Sequence, residues 1–453
     1  MTEERTGLSA WVRLVTAFVG PAAVMTAGIM GAGSTSALVL AGAWFRYDLL
    51  WLTLIILPPL VICLDSGARI GIMSKGKGML SIIRDEIHPA VTWFVIVVMV
   101  LFNLFVNMGQ MSVMTESLLA IFSWYKPGAE ATAEAVRSYQ IATIASSVLL
   151  AVVILYLLLG GGYARAQKAM TVLLFLMFAC FLIVALRSLE EIGALMAGLV
   201  PVIPADLPVP GTDRVRDAFG SIMAIAGGAL AAAPLLSYSY FHADDDARPE
   251  DMPRYFWKSV LNLGGLFGLY SVMVLVAGGY ALYPLENHAS IQTVGEAGRV
   301  LTRALPAGLG ALSPKIFGLG LFLCGFTTLI VVAQLMCYFI LDTFKMNWRY
   351  TKENKPFRAL LIFWIAVPSV LAPFWQFPAL LKIILLMGVN IVIVPIAMVI
   401  IIYLINKRSV MGDHTANAGR NVLLAASLVL SLWLASAKLP DYWSQIQTAI
   451  GGS

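Results

Sequence analysis

The chain has 453 residues, 60% of them hydrophobic and only 12% charged, with a mean hydropathy of +0.85 and a formal net charge of +5. Soluble domains carry about 25% charged residues, so a water-soluble globular protein is excluded. The modest basic excess reads as loop charge that sets membrane topology, not as a nucleic-acid surface.

Apolar runs long enough to cross a bilayer recur throughout. They predict eleven transmembrane helices near 14–43, 48–73, 90–122, 138–160, 167–187, 217–241, 256–282, 313–344, 357–373, 378–405 and 421–437. The N-terminal MTEERTGLSAWVR has no cleavable signal pattern, so the first run is read as a retained span. Most spans are joined by short polar connectors such as 161–165, whereas 188–216 and 283–312 read as surface loops. Cys63, Cys180, Cys324 and Cys337 lie inside apolar runs without metal-ligand spacing and read as buried hydrophobes.

Basic residues set the orientation. With the N-terminus in the cytoplasm, most of the 30 Lys and Arg fall inside, including Arg69, Lys75, Lys77, Arg84, Lys345, Arg349, Lys407 and Arg408. The C-terminus is then outside. The acidic run Asp244-Asp245-Asp246 is a solvated face, because acidic residues contribute little to orientation.

Two spans carry breaks. The first reads Gly28-Ile29-Met30-Gly31-Ala32-Gly33-Ser34-Thr35-Ser36, with three glycines and then three hydroxyls at mid-span. The sixth reads Gly227-Gly228-Ala229-Leu230-Ala231-Ala232-Ala233-Pro234. Glycine costs about 1 kcal/mol of helix propensity relative to Ala, and an internal proline removes a donor and clashes with the preceding turn. Each segment opens a five-helix half. One transmembrane domain over 1–453 is therefore expected, with repeats at 14–187 and 217–405 and an extra helix at 421–437. Paired interruptions at corresponding places point to a transporter binding site at an inverted-repeat interface. The competing reading is that small residues merely let helices pack closely.

The stretch from Gly20-Pro21 through Gly42, with Tyr47-Asp48-Leu49-Leu50-Trp51 and Ala68-Arg69-Ile70-Gly71-Ile72, resembles the first two helices of the NRAMP divalent-metal transporters. Ala164-Arg165-Ala166-Gln167 resembles the start of their fifth helix, and Gly325-Phe326-Thr327-Thr328 with Ala333-Gln334 their eighth. The resemblance covers residues 14–405. It implies an all-α, LeuT-like five-plus-five fold, alternating access, and a site between the first and sixth helices. The chain departs from the family where the metal would bind. The family's Asp-Pro-Gly-Asn falls on Gly31, Ala32, Gly33 and Ser34, and its Met-Pro-His on Ala233, Pro234 and Leu235. The Asp and Glu that serve proton movement in the family's third helix fall on Asn107 and Gln110, and its Gln positions in helices 8 and 10 on Phe326 and Gly388.

The expected substrate site is therefore Gly31, Ala32, Gly33, Ser34, Thr35, Ala232, Ala233 and Pro234, with Asn107 and Gln110 from the third helix. It offers no carboxylate, imidazole or sulfur. Transition metals want imidazole or sulfur, and Mg²⁺ and Mn²⁺ want oxygen, usually with a carboxylate. Free N–H groups and a positive helix end past Gly33 suit a carboxylate instead. A small organic carboxylate or zwitterion is thus the favoured cargo. A divalent cation of the Mg²⁺/Mn²⁺ type is the alternative, and a non-transporting sensor a third reading.

Asn103, Asn107 and Gln110 form one polar stripe, which lines the path or bonds to neighbouring helices. Thr327 and Thr328 could hold a coupling Na⁺ against first-helix carbonyls, as in carriers of the LeuT-like fold, or bond back to their own helix. Asp65 reads as an ion pair with Arg69, with a proton-coupling role as the sharper alternative. Ser237, Tyr238, Ser239 and Tyr240 are candidates for an inner vestibule. Glu116 and His242 read as interfacial. His88, His242, His288 and His414 all fall at loops or helix ends, and no nucleophile–base pair is legible, so an enzyme is not expected. No cofactor, metal centre or nucleic acid is expected. The partners are the lipid bilayer of the inner membrane and a small solute or ion coupled to Na⁺ or H⁺, and the chain is expected to act as a monomer.

Overall fold

The computed structural model describes residues 21–127, 131–161, 181–208, 215–244, 247–283 and 310–451, except Lys352 and Gln376, together with Phe178, Val294, Ala297, Gly298 and Gly308. The expected N-terminal tail, most of the fifth span at 167–187, and Cys180, Asp245, Asp246 and His288 lie outside these residues.

The first span consists of α1 (Pro21–Ile29) and α2 (Ala32–Phe45), which meet at a bend of 50°. A short helix at Leu50–Ile55 leads into α3 (Leu57–Met73), and the amphipathic α4 (Met79–Glu86) precedes α5 (Pro89–Ile121) and α6 (Ala133–Gly161). The sixth span is again split, into α7 (Ala218–Ala229) and α8 (Ala232–Asp244). Then follow α9 (Met252–Ser259), a π-helical stretch at Val260–Leu266, α10 (Phe267–Leu282), α11 (Ser313–Thr343), α12 (Lys355–Leu371), α13 (Ala379–Asn406) and α14 (Ala418–Gly451). Among the described residues nine helices are long and apolar enough to cross a membrane, and the bent pair makes a tenth. The only sheet among these residues is an antiparallel pair, β1 (Leu207–Pro208) and β2 (Val215–Arg216), in the loop expected at 188–216.

The halves are interlocked. α5 packs on α11, α2 on α10 and α3 on α8, each contact joining the first half to the second. Backbones touch where glycine removes the side chain: a Cβ on Gly42 of α2 would collide with the Leu275 carbonyl of α10. α1, α2, α7 and α8 are buried along nearly their whole length and form the centre of the bundle. The perimeter is apolar and exposed, as at Leu101, Ile141, Val152 and Val429, which is the surface a lipid-facing bundle presents.

Both breaks differ from the expected ones in detail. The first lies at Met30–Gly31, not past Gly33. Gly31 is extended (φ −75°, ψ 174°) and caps α2, so Gly33, Ser34 and Thr35 are helical. The second lies at Leu230–Ala231. Pro234 sits in the first turn of α8, where a missing N–H has no intrahelical partner to lose; it starts the second half-helix rather than breaking the first. α4 was not anticipated, because its eight residues are too short to register as a span, and α14 continues beyond the expected end at 437.

Candidate functional site

The two breaks face each other across a cavity of about 40 Å³, lined by residues of α1, α2, α5, α7, α8, α11 and α13. Of the expected site residues, Gly31, Gly33, Ser34, Ala233, Pro234, Gln110 and Thr328 line it. Close approach explains the small side chains: a Cβ on Gly228 would lie 2.8 Å from Ser34 Oγ, and one on Gly33 2.8 Å from Met387 Sδ.

Side chains from neighbouring helices satisfy the broken backbone. Ala32 N–H donates to Gln110 Oε1 (3.2 Å), and Ser34 Oγ donates to the Ile29 carbonyl (2.7 Å). On the other break, Asn390 of α13 donates to the Gly227 carbonyl (2.7 Å) and its Oδ1 faces Ala232 N–H at 3.5 Å. Such pairing is what permits irregular backbone at membrane depth.

Thr327 and Thr328 do more than bond to their own helix. Thr328 Oγ1 donates to the Gly28 carbonyl (2.5 Å), while Thr327 Oγ1 reaches the Ala27 carbonyl (3.1 Å) as well as Leu323 and Cys324 of α11. Two hydroxyls and two carbonyls thus meet beside the first break.

Several expected residues sit elsewhere. Thr35 turns away from the cavity toward Tyr270 OH (2.7 Å) and Cys324 Sγ (3.2 Å). Asn107 donates to the Trp364 carbonyl of α12 (3.2 Å), so of the polar stripe only Asn103 and Gln110 face the cavity. The stripe divides because residues 103 and 110 are seven apart on one helix face, whereas 107 lies on its flank toward α12. Asp65 is 1% exposed and pairs with Arg69 Nε (2.8 Å), as expected, and also with Arg420 Nη2 of α14 (2.6 Å). His242 is not interfacial: it is 1% exposed and packs between the rings of Tyr238 and Tyr255. Tyr238 and Tyr240 are likewise fully buried; Tyr240 OH donates to Asp342 Oδ2 (2.6 Å) and accepts from Leu80 N–H (3.1 Å).

Two cavity residues that bring donor atoms escaped sequence reading. Asn390 is a lone amide in the apolar run of α13, a signal that marks a polar contact inside a membrane helix. Met387, three residues earlier, brings a thioether to a site expected to hold no sulfur. A methionine in an apolar helix carries no such signal. Among the described residues no group of three or more His, Cys, Asp or Glu is placed to hold a metal ion. The donors at the cavity are neutral: amides, hydroxyls, main-chain carbonyls and one thioether.

A helical membrane bundle with two interrupted spans whose breaks face one central cavity has the LeuT-like architecture. Residues 22–439 match the family described as natural resistance-associated macrophage protein-like, and the chain belongs to this Nramp family. It is 26% identical over 301 residues to a divalent metal cation transporter MntH of Acidiphilium cryptum (strain JF-5), a match spanning 65% of this chain and 63% of that relative. The fold resembles a histidine-to-alanine mutant of the Eremococcus coleocola manganese transporter, with TM-score 0.73, 17% identity, and coverage of 100% of this chain and 91% of that one. It also resembles MhsT in complex with L-phenylalanine, with TM-score 0.60, 13% identity, and coverage of 92% and 98%. At these identities the two structures support the fold alone.

Proposed function

We propose that the chain is a secondary transporter that moves a divalent cation of the Mg²⁺/Mn²⁺ class by alternating access across the inner membrane. The family match over nearly the whole chain carries this reading, and the relative named as a divalent metal cation transporter agrees with it. The organic carboxylate favoured on sequence grounds loses support. It rested on free donors and a positive helix end past Gly33, and on a site without carboxylate, imidazole or sulfur. The helix restarts at Ala32, whose N–H is taken by Gln110, and Met387 lines the cavity.

The donor set favours an ion that keeps part of its water. Carbonyl, amide and hydroxyl oxygens suit hard cations, but without a carboxylate they do not offset the cost of stripping a dication bare. Gln110, Asn103 and Asn390 orient the hydrated ion, and Met387 adds one soft contact. The bend at Met30–Gly31 and the interruption at Leu230–Ala231 are the places where the half-helices swing to open the cavity to either side. The hydroxyls of Thr327 and Thr328 with the Ala27 and Gly28 carbonyls form the oxygen set for a coupling Na⁺.

Purified protein in liposomes loaded with a divalent-sensitive dye tests this. Mn²⁺ or Mg²⁺ entry is expected, lowered about tenfold by Asn390→Ala or Gln110→Ala, each of which removes a hydrogen-bonding group worth roughly 1–3 kcal/mol. Accumulation of a labelled small zwitterion with no divalent entry would overturn the proposal. The same vesicles, with and without a Na⁺ gradient, test the coupling ion.

A further inference from the structure

A second pocket lies away from the central cavity. About 370 Å³ in volume, it sits where the C-terminal end of α5, the N-terminal part of α6, the Ala372–Phe374 turn and the start of α13 converge. In the orientation favoured by the basic loops this is the outer membrane boundary.

Its floor is cationic. Lys382 is 2% exposed, yet among the described residues no carboxylate lies within ion-pair distance of it. Its ammonium donates to Ser112 Oγ (2.9 Å) and to the Trp375 carbonyl (2.8 Å), and stands 4.7 Å from the centre of the Trp375 ring. Two neutral acceptors leave one of its three N–H donors over. A buried ammonium without an anion is costly. Thr115 adds a second unsettled group: it is 1% exposed, lines the pocket, and its hydroxyl has no hydrogen-bond partner among the described residues. Lys126, Tyr139 and Gln140 line the wall. Glu116 is there too, its Oε1 accepting from Val294 N–H (2.7 Å), so among the described residues the pocket carries two ammonium groups against one carboxylate.

The rim has a different chemistry. Val136, Ile144, Phe374 and Phe377 line the mouth and are exposed on the apolar perimeter. A net positive floor with several donors, beneath an apolar mouth at the membrane boundary, matches a phosphate group that carries or adjoins acyl chains.

We propose that this pocket binds a phosphate group, held by Lys382, Lys126 and Thr115. The source is a phospholipid headgroup or free phosphate, and the site is independent of the cargo carried at the centre.

Thermal-stability titrations of the purified full chain in a neutral detergent test the proposal. The probes are short-chain phosphatidylglycerol, short-chain phosphatidylethanolamine, inorganic phosphate, and a diacylglycerol that lacks phosphate. Saturable stabilisation by one or more phosphate-bearing probes, but not by diacylglycerol, is expected. Stabilisation by the lipids alone assigns the site to a headgroup, and by inorganic phosphate to the free ion. Lys382→Met should raise the half-saturating concentration about tenfold or more, the loss of one charge-assisted hydrogen bond. Lys126→Gln at the exposed wall and Thr115→Val in the floor should each raise it less, and they decide the matter if Lys382→Met does not fold. No stabilisation, equal stabilisation by diacylglycerol, or unchanged titrations in Lys126→Gln and Thr115→Val would overturn the proposal.

Discussion

The hydroxyl of Thr328 on α11 donates to the carbonyl oxygen of Gly28 on α1 at 2.5 Å. A helix of the second half thus holds the carbonyl freed by the break in the first. Replacing Thr328 with Val keeps the shape and removes the donor. The buried Gly28 carbonyl then loses that partner, at a cost of about 1–3 kcal/mol. A lower melting temperature is expected for Thr328→Val, and a near-normal one for Thr328→Ser. Equal melting of the two variants would show that the hydroxyl does not secure the break.

Gly31 faces the same threonine from the other side. A Cβ placed there would lie 2.9 Å from Thr328 Cβ and collide with its hydroxyl. The β-branched neighbour has little freedom to move. Gly31→Ala should therefore destabilise the protein and suppress transport by wedging α2 away from α11. Adding Thr328→Ala should recover part of the loss, giving a coupling of about 0.5–3 kcal/mol in a double-mutant cycle. Strict additivity would sink this account of the glycine.

Asp65 ties α3 to α14 through Arg420 while holding Arg69 on its own helix. Asp65→Asn leaves two guanidinium groups facing each other in a mostly buried place. Removing one partner of a buried pair costs about 3–5 kcal/mol, and the partial exposure of Arg69 puts this case at the lower end. Asp65→Asn with Arg420→Met should melt higher than Asp65→Asn alone, since it removes one of the orphaned charges. Vesicle uptake separates this role from proton coupling: a structural Asp65 leaves the pH dependence of the remaining transport unchanged in Asp65→Asn.

Tyr240 joins three elements through one hydroxyl. It donates to Asp342 of α11 and accepts from Leu80 N–H of α4, while Ser81 N–H also donates to Asp342 (3.0 Å). Tyr240→Phe deprives two buried groups of a partner, costing about 1–3 kcal/mol. The loss should appear locally as faster amide hydrogen exchange at Leu80 and Ser81. Exchange unchanged there would mean that α4 is held by apolar packing alone.

The Nramp-type architecture was legible because its signals are local. Eleven apolar runs are countable along the chain, and all but 167–187, which lies mostly outside the described residues, correspond to helices. The breaks were visible within two or three residues from Gly31 and Pro234, but their exact places were not. A cap is chosen by φ and ψ at one residue, and Gly28, Gly31 and Gly33 were equivalent candidates until α11 and α13 closed around them. Asn107 and Thr35 failed as cavity residues for a related reason. A polar side chain inside a span must find a partner, and which neighbour supplies it depends on the helix behind it, α12 for Asn107 and α10 for Thr35.

The sequence by itself determined a polytopic helical membrane protein with two interrupted spans and a central site stripped of carboxylate and imidazole. Those properties follow from transfer free energy, helix propensity and the absence of particular side chains, none of which needs a neighbour. The tertiary structure decided which groups meet. It brought Asn390 and Met387 to the breaks, gave Asp65 a second arginine from more than 350 residues away, and buried Lys382 beside Thr115 in a pocket where Glu116 is too far away to form an ion pair with it. Hydrogen bonds and charges act over a few ångströms, so partners distant in sequence become partners only when the helices pack.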